Sequence, residues 1–263
     1  MNSYKGLLKK EWLLSKNWMM IGLFIMLGII LISWGFSQYY DNPYILFGAC
    51  LTIFSFHIFY IFAFFISSLI LEGKTHLWLH SPQSTLALVS SKLLIAVFIN
   101  VISISIFSLI LYVVLKLYKG IIPYSQVYTN ISVDIFFYSI GITIIGIYFG
   151  VLGLFYWVVY QSLGSVTFLK KWKGIVLIVI FLITNYCINK ISQWDVYESI
   201  LQFGPIPIQL VTQFTIGDQE SGMSYFGLGP EMLSVGGIAT YVTVVLGIIY
   251  VSSWLIDKVV EMT

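Results

Sequence analysis

Arginine is absent from this chain of 263 residues, and charged side chains of all kinds make up only 9% of it. A soluble domain carries roughly 25% charged residues, so an ordinary hydrated surface is excluded for most of the length. Net charge is +2, carried by 13 lysines against 11 acids, which is too small for a nucleic-acid partner. There are two cysteines, Cys50 and Cys187, each inside an apolar run, so a disulfide framework is excluded and both read as buried thiols. No Gly-x4-Gly-Lys-Ser/Thr run exists to cradle phosphates between backbone amides and a lysine, so the chain has no P-loop route to ATP hydrolysis. Gly-x-Ser-x-Gly, HExxH and paired glutamates are missing too, which leaves an intramembrane enzyme without a nucleophile, a metal or an acid pair.

What is present is apolar: 59% hydrophobic and 17% aromatic residues. The fold class expected is all-α, a polytopic membrane protein with six transmembrane helices. Residues 1–17 are amphipathic, with Tyr4, Leu7, Leu8, Trp12 and Leu14 on one side of a helical wheel and Lys5, Lys9, Lys10 and Lys16 on the other. That pattern predicts a helix lying in the membrane interface. A signal peptide is the competing reading, and the apolar run that follows is too long for it and has no small-residue cleavage site. A stretch of about 19 apolar residues spans roughly 30 Å at about 1.5 Å per residue. On that measure the six spans are 18–36, 44–71, 93–115, 133–160, 174–188 and 234–256, making one transmembrane domain over 18–263. Residues 72–92 and 189–233 are the two notable connections, and no internal repeat or low-complexity tract occurs.

Orientation follows from lysine. With an inside N-terminus, Lys5, Lys9, Lys10, Lys16, Lys74, Lys92, Lys170, Lys171, Lys173 and Lys258 share one side, and Lys116, Lys119 and Lys190 the other. The positive-inside rule then predicts that both termini and the 72–92 loop are cytoplasmic. Most acids, namely Asp41, Asp134, Asp195, Glu198, Asp218, Glu220 and Glu231, fall outside.

The 72–92 loop is polar and aromatic between two apolar runs and holds two of the three histidines. Glu72, His76 and His80 recur every four residues, within about an 80° arc of a helix, while Leu77, Trp78 and Leu79 cover the other faces. Pro82 disfavours helix at Ser81, and Ser84 is placed to cap a new helix that passes Lys92 into the third span. The loop reads as a short helix offering Trp78 and its leucine neighbours to a cytosolic partner. An ordinary interfacial loop with its tryptophan in the headgroups fits the composition equally. The histidine spacing lacks the ligand set of a zinc site, and no metal is expected.

His57 lies mid-span, where ionisable groups are rare and often functional; a neutral imidazole hydrogen-bonded inside the bundle is the expectation, ahead of a proton or substrate role. Asp134 reads as a solvated acid at a helix start. Glu11 falls on the apolar side of the first helix and should pair with a lysine of a neighbouring element, Lys92 being one candidate. In the fourth span Ser139, Thr143, Gly146, Gly150 and Gly153 form a stripe of small residues at steps of four and three. Such stripes let helices approach closely in lipid, so a packing seam inside the chain is expected, ahead of a subunit interface.

Lys10-Glu11 in an amphipathic N-terminal helix, then Glu72, Thr75, Leu77, Leu79, Ser81-Pro82, Ser84 and Ser91-Lys92 between the second and third spans, resemble the permease subunits of the ABC-2 family of ATP-driven exporters. The resemblance covers the whole topology, though only those two stretches are motif-like. It implies that 72–92 is a coupling helix contacting an ATPase subunit through Glu72, Thr75, His76, Leu77, Trp78, Leu79 and His80. ATP and Mg would be held by that partner, with no cofactor bound by this chain. It implies re-entrant outer helices in 189–233, with Gly204-Pro205-Ile206-Pro207 as the turn. It also implies a second permease copy or sister permease, met through the first and fifth spans. The expected location is the bacterial cytoplasmic membrane, and the absent arginine with abundant Ile, Asn, Tyr and Lys fits an AT-rich bacterial coding sequence. The implied function is export of amphipathic peptides such as phenol-soluble modulins. Permeases for antimicrobial-peptide immunity or for lipid-like cargo are the alternatives on the same fold. An ion-coupled transporter, which usually shows inverted halves and midplane charges, finds only His57 in its favour.

Overall fold

The structure is a computed structural model and describes residues 3–75, 83–118, 131–165, 168–206, 215–216, 223–224 and 234–260. Six helical stretches are long and apolar enough to cross a membrane: Tyr4–Tyr39, Pro43–Glu72, Thr85–Leu117, Ile135–Gly164, Lys173–Ile191 and Val235–Lys258. The protein is therefore helical and membrane-embedded in class.

Helix α1 runs from Ser3–Tyr39 without a break. The amphipathic 1–17 segment and the first span share this one helix, because nothing between Lys16 and Trp18 interrupts the backbone ladder. Asp41, in the left-handed region at φ 48, ends it. Asn42 then caps α2 (Pro43–Phe56), its side chain accepting the Tyr44 amide at 3.0 Å with Pro43 at the first helical position. The second span, expected as one helix, is divided by a 3₁₀ turn at His57–Phe59 and resumes as α3 (Tyr60–Thr75). No proline or glycine marks that break, so helix-breaker signals could not locate it.

Ser84 caps α4 (Thr85–Leu117), accepting the Ala87 amide. Helices α5 (Ile131–Ser165) and α6 (Lys173–Ile191) follow, then the short α7 (Asp195–Leu201). Two residue pairs, β1 (Thr215–Ile216) and β2 (Met223–Ser224), run antiparallel. Helix α8 (Val235–Leu255) starts at the Ser234 cap and continues into a π-helical turn, Ile256–Val260. The chain turns at Gly204, whose φ of 65 favours glycine. From there the α8 start is stitched to the α7 end: Val235 N donates to Gly204 O and Gly236 N to Phe203 O, both at 3.0 Å. Ser234 Oγ also donates to Leu201 O.

Burial is organised in two stacked cores. One joins Met19, Leu23 and Ile30 of α1 to Leu46–Phe54 side chains of α2 and to Ile99, Phe107 and Leu111 of α4. The other joins Ile61, Phe65 and Leu69 of α3 to Val89 and Ala96 of α4, Leu154 and Val158 of α5, and Ile256. The long α4 is the spine shared by both. Helix α6 stands apart: none of its residues is buried, so Cys187, expected as a buried thiol, is exposed where Cys50 is buried, and Phe181 rests on Tyr156 of α5 with ring centroids 5.7 Å apart. Apolar side chains exposed on every face are what lipid solvent permits.

Candidate functional site

The end of the bundle where α3 stops and α4 begins holds a four-charge cluster. Glu11 comes from α1, Glu72 from the last turns of α3 and Lys92 from the third turn of α4; Lys10 of α1 closes the group. Lys92 Nζ lies 2.8 Å from Glu11 Oε1, 2.9 Å from Glu72 Oε2 and 2.9 Å from Ser68 Oγ. An ammonium has three protons to donate, and here each finds an acceptor. Ser68 Oγ in turn donates to Glu11 Oε2 at 3.0 Å. Lys10 Nζ is 3.2 Å from Glu11 Oε1 and also donates to Glu72 Oε1. Glu11, Glu72 and Lys92 are buried, with 1%, 2% and 2% of their surface exposed.

The spacing explains the geometry. Ser68 and Glu72 are four apart on α3, so they share a face, and Lys92 meets both from α4. Two cations and two carboxylates cancel, and nearly every donor is matched, the condition under which buried ions are tolerated. The cluster ties three helices at one level. Tyr4 Oη and Ser90 Oγ, 3.2 Å apart, and the edge-on rings of Trp12 and Phe98, 5.7 Å apart, reinforce α1 against α4. Thr85 Oγ1 donates to Asp257 Oδ1, tying the start of α4 to the turn beyond α8.

Chemically this is a clamp. Both carboxylates are already engaged by lysine, and among the described residues no group of three or more His, Cys, Asp or Glu side chains is placed to hold a metal. Gly73-Lys74-Thr75 matches the tail of a phosphate-binding loop, but Ser68 stands where the first glycine belongs and the triplet is the last turn of a helix. Those amides are spent on the helix ladder and cannot line up on a phosphate.

Of the residues expected to contact a partner, His76, Leu77, Trp78, Leu79 and His80 lie outside the described residues, as do the side chains of Thr75 and Asp134. Glu72 differs from its expected role: its carboxylate is turned into the bundle, between Lys10 and Lys92. An ionised carboxylate between two ammonium groups makes charge-assisted hydrogen bonds that an outward position would not supply. Lys10 and Glu11 belong to the same cluster. Ser68 went unremarked in the sequence, although its place four residues before Glu72 was the available signal.

The small-residue stripe of α5 packs inside the chain. A Cβ at Gly146 would sit 3.1 Å from Ile58 O, one at Gly150 3.1 Å from Ile61 Cγ2, and one at Gly153 2.5 Å from the Phe62 ring. Ser139 Oγ is 2.8 Å from Ser108 Oγ, and Thr143 Oγ1 accepts from Asn100 Nδ2 at 3.2 Å, so the stripe's upper part faces α4. His57 is fully buried. Its Nδ1 is 2.8 Å from Ile53 O, which can only accept, so Nδ1 carries the proton. Nε2 of the neutral ring then accepts from Ser103 Oγ at 2.9 Å.

Compared with protein-family models, with curated proteins and with solved structures, the chain matches none of them.

Proposed function

We propose that this chain is the membrane-spanning permease subunit of an ATP-driven exporter of the ABC-2 type, without catalytic activity of its own. The observation that carries the reading is the clamp of Lys92, Glu72, Glu11 and Lys10, seated at the root of the turn between the second and third spans. A turn rooted in three cross-tied helices transmits a push to all of them, whereas one on a loose hairpin would absorb it. A bundle lacking a phosphate cradle needs such an input, and a partner can only drive it through a surface whose binding differs between two states. Leu77, Trp78 and Leu79 are the contacts assigned to the ATPase subunit, with His76 and His80 setting register; Glu72 anchors the turn from within.

The lysine distribution supports a cytoplasmic position for the clamp and both termini, and the membrane assigned to the chain is the bacterial cytoplasmic membrane. A second permease copy or sister chain completes the path, with twofold closure the simplest arrangement. The exposed faces of α1 and α6 are available to it. ATP and Mg belong to the ATPase partner. The cargo that suits an aromatic and aliphatic lining is an amphipathic peptide or a lipid-like molecule, and export for secretion and export for resistance use the same device.

The test is to look for an ATPase reading frame adjacent to the one for this chain and to reconstitute the two products together in lipid. The permease should stimulate nucleotide hydrolysis and be captured with the ATPase, and Leu77→Ala with Trp78→Ala should abolish both. Unchanged capture and stimulation in the double variant, or ATP consumption by the purified permease alone, would overturn the assignment.

A further inference from the structure

The break in the second span coincides with the boundary between the two cores. Side chains of α2 up to Phe54, and Tyr60, belong with α1, with α4 from Ile99 on and with Ile135 near the start of α5; Ile61, Phe65 and Leu69 belong with Leu154 and Val158 of α5 and the first turns of α4, while Phe64 touches both cores. On α4 the division falls between Ala96 and Ile99. Between the cores lies a polar layer of His57, Asn100, Ser103 and Thr143, three of which, His57, Asn100 and Ser103, have no exposed surface.

At the break, the His57 backbone amide bonds to Phe54 O, one residue short of the α-helical acceptor Ile53 O. Ile53 O takes the His57 ring instead. The side chain therefore satisfies a carbonyl that the 3₁₀ tightening releases, which in hydrocarbon would otherwise cost free energy. Nε2 anchors the same ring to Ser103 on α4, and the rings of Tyr60 and Phe107 flank it at centroid distances of 5.3 Å. Gly146 leaves room for Ile58 O at the same level. Asn100 Oδ1 is buried with no hydrogen-bond partner among the described residues, and the Tyr60 hydroxyl lies against Ser103, so the layer has capacity to exchange partners. A mid-helix 3₁₀ stretch between two packing units is the arrangement of a hinge.

We infer that His57–Phe59 is a hinge in the second span, about which α3 swings together with α5 while α2 stays with α1. His57 sets the rest position by bridging Ile53 O to Ser103. The swing moves the end of α3 that carries Glu72 and Ser68, so their bonds to Lys10 and Glu11 of α1 and to Lys92 of α4 exchange partners as it occurs. This inference stands whether or not an ATPase drives the motion.

Pulsed electron-paramagnetic distance measurements in lipid nanodiscs decide it, with Cys50 and Cys187 replaced by Ala and Ser. A nitroxide pair at Leu31 and Ile70 crosses the hinge, and a pair at Leu31 and Leu109 stays within one unit; all three sites are exposed. In the otherwise native chain the crossing pair should give two distances and the control pair one. His57→Leu and the milder Ser103→Ala should each change the ratio of the two populations about five- to tenfold, the worth of one hydrogen bond, with the control pair unmoved. A single narrow distance for the crossing pair in the otherwise native chain overturns the hinge. So does equal broadening of both pairs in Ser103→Ala, which would mark general loosening.

Discussion

Replacing Lys92 by methionine keeps the length of the side chain and removes its charge. The buried carboxylates of Glu11 and Glu72 then share Lys10 alone, and the cluster passes from neutral to one net negative charge. Lys10 is a poor substitute, since 40% of its side chain is exposed against 0% for Lys92. Deleting one partner of a buried pair costs about 3–5 kcal/mol, and the orphaned Ser68 acceptor adds to it. Lys10→Met, at the exposed edge, should cost about 1 kcal/mol or less. The informative variant is Lys92→Met with Glu11→Leu, which leaves Lys10 and Glu72 as a neutral pair and should recover most of the loss. The assay is denaturant unfolding of the purified chain in one defined micelle, followed by helical circular dichroism, with expression level as a second readout. Equal losses in Lys92→Met and Lys10→Met would refute the claim that burial sets the size of the effect. A double variant as poor as the sum of the two single ones would refute the coupling.

Three further outcomes follow from the packing. Gly236→Ala should be among the most damaging single-methyl changes, above about 3 kcal/mol, because the added Cβ would lie 1.8 Å from the backbone oxygen of Ile200; an unfolding midpoint equal to that of the parent chain would contradict the α7 to α8 stitch. Gly153→Val should cost about 1–3 kcal/mol through overpacking on Phe62, while Gly247→Val, with nothing within 4 Å, should stay within about 0.5 kcal/mol; the reverse order would move the α5 seam to a subunit interface. Asn42→Ala removes the acceptor for the Tyr44 amide and should lower stability by about 1 kcal/mol, with Asn42→Ser restoring it in the same unfolding assay.

Much of the fold was legible because its signals are local. An apolar run long enough to cross hydrocarbon declares itself without reference to neighbours, as does the Ser84 cap at the start of α4. Glu11 on an apolar helix face demanded a cation, and Lys92 was a candidate in reach. What the sequence hid depends on pairs of residues far apart in the chain. Glu72 looked like an outward contact because its spacing with His76 and His80 is all that one strand of text displays. The break at His57 carries no breaker residue, since the group that stabilises it is a side chain bonding to its own backbone and to Ser103, 46 residues away.

Alone, the amino-acid order determines that this chain dissolves in lipid, roughly where it crosses, and that it has no P-loop phosphate cradle, because hydrophobic length and motif spacing are properties of contiguous residues. Only the tertiary structure decides that the small-residue stripe of α5 is an internal seam, that Glu72 turns inward, and that the second span bends between two cores. Each of those depends on which atom stands opposite in space, and in a bundle of six apolar helices many pairings satisfy the same hydrophobic pattern while few satisfy every buried charge and carbonyl.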